Sequence, residues 1–127
     1  MTDNEYELMK IEINECIIRW SKRLGLDDYI ITPEFERGVC VDCPNRASYT
    51  SVFWPYKDAK ITFWLEQMAN GYKSLDALVL HELVHILLAP MATHLDDSSD
   101  EQHELVCENI TRILLGAFKV PVLKGEK

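Results

Sequence analysis

The chain has 127 residues, of which 47% are hydrophobic and 27% charged, a composition typical of globular proteins. This length favours a single domain over residues 1–127. A formal net charge of −8 argues against nucleic acid or an anionic membrane as the main partner. Because the acidic N-terminus shows no export signal and no apolar run approaches the ~20 residues that span a bilayer, we expect a cytoplasmic protein, monomeric by default.

The first element predicted along the chain is an amphipathic helix. Apolar residues recur every three to four positions across residues 3–24, and Gly25 is well placed to end the helix. Residues 29–32 are typical of a short strand. Pro33 restricts that strand to the edge or the end of a sheet, because proline cannot donate to a strand ladder.

Two further strands are predicted at residues 48–54 and 59–65, which are rich in aromatic and β-branched side chains. Residues 55–58 connect them, so the two strands are expected to pair antiparallel. The fold class that follows is α+β. We expect a small, mostly antiparallel sheet packed against an N-terminal helix, a central helix and a C-terminal helix.

The four cysteines are Cys16, Cys40, Cys43 and Cys107. Without an export signal they are expected to be reduced thiols rather than a disulfide framework. Cys40 and Cys43 form a C-x-x-C pair, which is interpreted as a loop turn with two free thiols; a second metal site or a disulfide is the alternative. No spacing recruits Cys16 or Cys107 as a metal ligand.

The central helix is predicted over residues 77–89, which read ALVLHELVHILLA. Asn70-Gly71 is a turn signal before it, and Ser74 is suited to cap its N-terminus. Pro90 is expected to end it. A polar loop at residues 91–100 then leads to a second long helix, which Gly116 closes.

Only three residues of the central helix are polar, namely His81, Glu82 and His85. The two histidines stand four residues apart on one helix face with Glu82 beside them, which is the H-E-x-x-H arrangement that binds zinc and supplies a general base. The alternative is a pair of buried, hydrogen-bonded histidines. We favour the metal site, because a buried glutamate is rare unless it has a partner.

A catalytic zinc usually takes three protein ligands, so two histidines leave one position to fill. The downstream candidates are His94, His103, Glu104 and Glu108. Glu104 is favoured because it lies near the start of the second helix, after a loop long enough to reverse the chain; His103 is the alternative ligand. Glu108, one turn further on, is placed to accept a hydrogen bond from a ligand histidine. Both glutamates could instead belong to a solvated acidic face.

The segment His81-Glu82-Leu83-Val84-His85, followed after a loop by Glu104-Leu105-Val106-Cys107-Glu108, resembles gluzincin-type zinc metallopeptidases. The short chain is similar to the minimal versions, the minigluzincins and the small metallopeptidases of phages and prophages. The resemblance covers residues 59–116. A more distant resemblance is to the repressor-cleaving peptidases of the ImmA/IrrE type, although Val84 replaces the glycine usual in those proteins.

The resemblance implies zinc-dependent hydrolysis of a peptide or protein substrate, with Glu82 as the general base that acts on a metal-activated water. It also implies that residues 59–65 border the substrate cleft. An extended peptide is then expected to add to this strand, at the segment that contains Ala59, Ile61, Phe63 and Leu65. The candidate oxyanion-stabilising residues are His94, His103, Tyr56 and Tyr72.

Two alternatives to a general peptidase remain open. In one, the protein is a non-catalytic interaction module in which zinc only ties two helices together. In the other, it is a protease dedicated to a single regulatory partner. The metal is expected to be Zn²⁺, although two histidines and a glutamate also suit other divalent ions.

Overall fold

The computed structural model describes residues 2–42, 46–71, 74–92 and 100–120. Within these residues the chain forms four α-helices and a three-stranded mixed sheet, which confirms the α+β class. In chain order the elements are α1 (Asp3–Leu24), β1 (Ile30–Glu36), β2 (Ser48–Phe53), β3 (Asp58–Trp64), α2 (Leu65–Gly71), α3 (Leu75–Ala92) and α4 (Asp100–Ala117). A short 3-10 helix, Trp54–Tyr56, joins β2 to β3.

Helix α1 has the boundaries that its sequence pattern predicts. Thr2 and Glu5 form a reciprocal capping box at its start, which satisfies backbone N–H groups that would otherwise lack partners. Gly25 ends the helix in the left-handed region, with φ of 73°, where a residue without Cβ is least strained. The helix packs against α3 through Ile13, Cys16, Ile17 and Trp20, which are buried in the main core.

The sheet has the strand order β1-β3-β2. Strands β2 and β3 pair antiparallel, as predicted, whereas β1 pairs parallel to β3. Pro33 lies in β1, and its position in an edge strand confirms the restriction that proline imposes. The sheet is therefore mixed rather than mostly antiparallel.

The central position of β3 overturns the prediction that residues 59–65 form a strand edge open to a peptide. Both edges of β3 are already hydrogen-bonded, one to β1 and the other to β2. Ala59, Ile61 and Phe63 point into the core with at most 3% exposure, and Leu65 begins α2 instead of ending the strand. The prediction was wrong because periodicity identifies a buried face but not which neighbours a strand acquires.

Helix α3 is the central element of the core and contacts α1, α4 and β2. Ser74 accepts a hydrogen bond from the backbone N–H of Ala77 (3.2 Å), which confirms the predicted cap. Two boundary predictions were wrong, since Asn70 and Gly71 belong to α2 and α3 continues through Pro90 to Ala92. A proline in the last turn removes only one helical hydrogen bond, which explains why the helix tolerates it.

By length and composition, α3 is also the one helix of the described ranges that could cross a membrane. A buried helix at the centre of a globular core meets the same criterion. The observed packing of α3 against two helices and a strand is that of such a core helix.

Asp76, in the first turn of α3, connects this helix to α1. Its Oδ1 accepts hydrogen bonds from Trp20 Nε1 (2.7 Å), Arg19 Nη2 (2.9 Å) and the Cys16 thiol (3.3 Å). Partial burial raises the pKa of Asp76, but these three donors outweigh it, so the pKa lies below its ordinary value. The contacts hold α1 on the side of α3 where the buried Trp20 needs an acceptor for its indole N–H.

Candidate metal centre

His81 and His85 stand one turn apart on α3, as their spacing predicts. Their Nε2 atoms lie 3.2 Å from each other, and each side chain is only 17% exposed. The remainder of the helix is so apolar that the two imidazoles and Glu82 are the polar groups at its centre. The two rings thus present adjacent nitrogens toward one point.

Glu104 on α4 completes this convergence. Its Oε1 lies 3.1 Å from His81 Nε2 and its Oε2 lies 3.0 Å from His85 Nε2. A tetrahedral metal ion with bonds of about 2.1 Å keeps nitrogen and oxygen ligands about 3.3 Å apart, which is close to these separations. His81, His85 and Glu104 could therefore hold a metal ion. The Glu104 side chain is 59% exposed, so the site faces solvent on this side.

Glu108, one turn after Glu104, contacts the other nitrogen of His81. Its Oε1 lies 3.2 Å from His81 Nδ1. An ionised carboxylate only accepts hydrogen bonds, so the neutral tautomer in which His81 Nδ1 donates to Glu108 leaves the Nε2 lone pair for a metal ion. This is the contact that the sequence predicts for Glu108.

Two further side chains of α4 surround the other ring. His85 Nδ1 lies 3.0 Å from His103 Nε2 and 3.5 Å from Cys107 Sγ, and Cys107 Sγ lies 3.7 Å from His103 Nε2. These three groups form a second cluster that could hold a metal ion. The sequence analysis assigned no role to Cys107, although it falls four residues after His103 and could have been placed on the same helix face.

Glu82 points away from α4, toward the sheet. It is 6% exposed, and its two carboxylate oxygens accept hydrogen bonds from β2, Oε2 from Ser48 Oγ (2.8 Å) and Oε1 from Thr50 Oγ1. The sequence analysis did not single out either hydroxyl. The signal was the alternation of β2, which puts two polar residues in succession on the strand face that should be apolar.

Burial and charge alter the acidity of groups around the cluster. Burial lowers the pKa of His85, against the raising effect of the Glu82 and Glu104 charges. Burial also raises the pKa of the Cys107 thiol to about 12, assisted by the charges of Glu104, Glu82 and Glu108. In the absence of a bound cation, His85 therefore favours the neutral imidazole and Cys107 the neutral thiol.

Of the four predicted oxyanion-stabilising residues, the structure describes two, His103 and Tyr56. His103 lies in the second cluster, while Tyr56 is 74% exposed and packs its ring against Phe53 at a centroid distance of 4.9 Å. His94 and Tyr72 lie outside the described residues.

The prediction that the cysteines are reduced thiols has a mixed outcome. Cys16 and Cys107 are free and buried, whereas Cys40 is disulfide-bonded, so the interpretation of Cys40 as a free thiol was wrong. The irregular backbone of residues 37–42 agrees with the predicted loop, whereas the disulfide does not agree with the predicted redox state.

Comparison of this chain with models of protein families, with curated proteins and with solved structures yields no match. A functional assignment therefore has to come from the side chains of the site rather than from the fold. The groups available are two imidazoles and a carboxylate around one point, with a buried carboxylate beside the imidazoles on the same helix.

Proposed function

We propose that the protein is a zinc-dependent peptidase in which His81, His85 and Glu104 hold the metal and Glu82 is the general base. The observation that carries this proposal is the convergence of two imidazole nitrogens and the two oxygens of one carboxylate, from two helices, at separations of 3.0–3.2 Å. The same set of two histidines and one glutamate is a known arrangement of catalytic zinc, which leaves a fourth position for water or substrate.

The hydrogen bonds of the His81 ring support a cation at this point. In the neutral tautomer in which Nδ1 of His81 donates to Glu108, the Nε2 lone pair faces Glu104 and His85 Nε2. A neutral imidazole lone pair next to a carboxylate oxygen is electrostatically unfavourable unless a cation lies between them. A divalent cation converts that repulsion into three favourable contacts.

Zinc in this site would supply Lewis acidity, which polarises a scissile carbonyl and makes water acidic enough to attack it near neutral pH. Glu82 would accept the proton at a carboxylate oxygen and return it to the leaving amine. Ser48 and Thr50 occupy one acceptor position on each oxygen of Glu82, and a carboxylate has about four such positions, so the oxygens retain the capacity to take a proton.

A second candidate is a metal that only joins α3 to α4. It is supported by the origin of the ligands, since His81 and His85 come from one helix and Glu104 from the other. A structural zinc site, however, usually has four protein ligands and no adjacent buried carboxylate. Glu82, which stands beside both ligand histidines on α3, favours the catalytic function.

The decisive experiment compares wild type with Glu82→Gln, using zinc analysis of the purified proteins and hydrolysis of casein and of a mixed peptide library. The proposal expects at least one zinc per chain in both proteins and hydrolysis by wild type alone. Glu15→Gln, which removes the same charge from an exposed position on α1, is the matched control and should behave as wild type.

The other possible results of this experiment would each support a different mechanism or function. Full activity in Glu82→Gln would exclude the mechanism. Zinc binding without hydrolysis of any library member would favour the metal that joins two helices. If generic substrates are inert and one protein substrate is cleaved by wild type but not by Glu82→Gln, the enzyme is a dedicated protease.

A further inference from the structure

The second cluster at α4 has the geometry of a metal site in its own right. His85 Nδ1 and His103 Nε2 are 3.0 Å apart, and Cys107 Sγ lies 3.5 Å from the first and 3.7 Å from the second. Tetrahedral zinc with bonds of about 2.1 Å to nitrogen and about 2.3 Å to sulfur keeps its nitrogens about 3.3 Å apart and its sulfur about 3.5 Å from each nitrogen. All three observed separations are close to these values.

We propose that His85, His103 and Cys107 form a second metal site, selective for thiophilic divalent ions such as Zn²⁺ and Co²⁺. His85 is then shared, with Nε2 facing the first ion and Nδ1 facing the second. The inference concerns metal binding alone and stands whether or not the protein hydrolyses peptides, although it shares one residue with the proposed active site.

The arrangement of α4 provides each histidine of α3 with a pair of side chains, and Glu104 contacts both histidines. Glu104 and Glu108 are four residues apart and contact His81, while His103 and Cys107 are four residues apart and contact His85. Residues at this spacing lie one above the other on a helix, so the two pairs form parallel rows. The second row differs from the first in carrying sulfur and nitrogen in place of oxygen.

This difference in ligands determines which ions the second site prefers. Thiolate and imidazole favour zinc, cobalt and cadmium over magnesium and calcium, which prefer oxygen. Binding displaces two protons to solvent, one from the Cys107 thiol and one from His85 Nδ1, so that the ring becomes an imidazolate between two cations. The resulting negative charges, together with Glu82, Glu104 and Glu108 nearby, compensate the charge of two divalent ions.

The surroundings of Cys107 distinguish it from the other buried free thiol. The Cys16 thiol is hydrogen-bonded to Asp76 and contacted by Arg19, which makes it part of the packing between α1 and α3. Within the described residues, the recorded side-chain contacts of Cys107 Sγ are the two imidazole nitrogens. Cys107 itself is fully buried, and His103 is partly exposed, which gives an ion a route to the cluster.

The test is a titration of the metal-free full-length protein with Co²⁺ in the absence of oxygen. Binding stoichiometry is measured by calorimetry, and a thiolate-to-cobalt charge-transfer band in the near ultraviolet reports sulfur ligation. We expect two equivalents, with the thiolate band appearing in wild type and absent from Cys107→Ser, which binds one equivalent. Cys16→Ser is the matched control and should retain both the band and the second equivalent.

A second variant separates the two sites. His81→Ala removes a ligand of the first site only, so it should bind one equivalent and keep the thiolate band. If Cys107→Ser fails to fold by circular dichroism, His103→Asn replaces it and should weaken the thiolate-containing site at least about tenfold.

The remaining outcomes would overturn the proposed second site or part of it. One equivalent without a thiolate band overturns the second site while leaving the proposed function intact. Persistence of the band in Cys107→Ser, or its loss in His81→Ala, overturns the shared-histidine arrangement. Failure to bind cobalt at all overturns both this inference and the proposed function.

Discussion

Glu108 Oε1 lies 3.2 Å from His81 Nδ1, so a carboxylate of α4 fixes the ring orientation of a histidine of α3. We therefore expect Glu108→Ala to weaken zinc binding by roughly 10–100-fold, as is typical when such a supporting group is removed. Glu108→Gln should retain part of the affinity, because its amide oxygen still accepts from Nδ1. Competition with a chromophoric chelator measures both, with Glu15→Ala as an exposed-charge control. Unchanged affinity in Glu108→Ala would show that the contact does not support the metal.

The hydroxyl groups of β2 should matter for stability before any substrate is present. Thr50→Val removes a donor to the buried Glu82 carboxylate, and we expect the free energy of unfolding to fall by roughly 1–3 kcal/mol. Thr50→Ser keeps the hydroxyl and should keep most of the stability. Urea denaturation of the metal-free protein measures the effect. Ser51→Ala is the matched control, because Ser51 is exposed on the other face of the same strand; an equal loss in that variant would attribute the effect to the strand and not to Glu82.

Asp76 should give the protein part of its sensitivity to acid. Its pKa is lower in the folded chain than in the unfolded one, so its stabilising contribution is complete above the unfolded pKa of about 3.9 and is lost as the pH falls through the folded pKa. The stability difference between wild type and Asp76→Asn should therefore shrink between about pH 5 and pH 2. Thermal unfolding across this range provides the measurement, and a difference that is constant with pH would contradict it.

At neutral pH the same residue is expected to matter through Trp20. Asp76→Ala leaves the buried indole N–H without its acceptor, which should lower the free energy of unfolding by roughly 1–3 kcal/mol. Asp28→Ala breaks the ion pair with Lys57 at the surface, which is expected to cost less than about 1 kcal/mol. Equal costs for the two variants would mean that the interhelical hydrogen bonds contribute no more than a surface pair.

Removal of zinc should lower the free energy of unfolding, and the loss should be larger the more tightly zinc binds. A ligand that binds only the folded state at 1,000 times its dissociation constant adds about 4 kcal/mol, so zinc should raise the melting temperature and a chelator should reverse the rise. His81→Ala should remove the part of the zinc response that comes from the first site and keep the part that comes from His85, His103 and Cys107. A zinc response of wild-type size in that variant would place the stabilising ion elsewhere.

Sequence patterns correctly predicted the features that depend on residues close together in the chain. The capping of α1 and its end at Gly25 follow from residues within one turn of each other. The juxtaposition of His81 with His85 follows from helical spacing. The position of Glu104 beside them required only that the next helix return antiparallel with that residue facing α3.

Long-range pairing could not be predicted in the same way. Nothing in residues 59–65 indicates that β1 adds parallel to β3, because the parallel partner is chosen by the path of the chain between β1 and β2.

The effect of Pro90 on the end of α3 was misinterpreted for a different reason. A proline ends a helix when several residues would follow it, but only Met91 and Ala92 do so here.

The side chains missed around the site share one property. Ser48 and Thr50 were invisible because their partner, Glu82, comes more than thirty residues later in the chain. Cys107 was missed because a lone cysteine on a helix is usually a packing residue, and its chemistry depends on His85 of another helix. In each case the sequence contains both residues of the pair but does not show that they lie close together in the fold.

Glu82 lies beside the histidines on α3, but separate elements contact them. The proposed base is held by β2, whereas, among the described residues, the groups from outside α3 that contact the two rings lie on α4. The two halves of the site can therefore be changed independently. Substitutions on α4 can be used to retune the choice of metal ion, since they leave the hydrogen bonds of Glu82 in place, and substitutions on β2 can retune the base without touching a ligand.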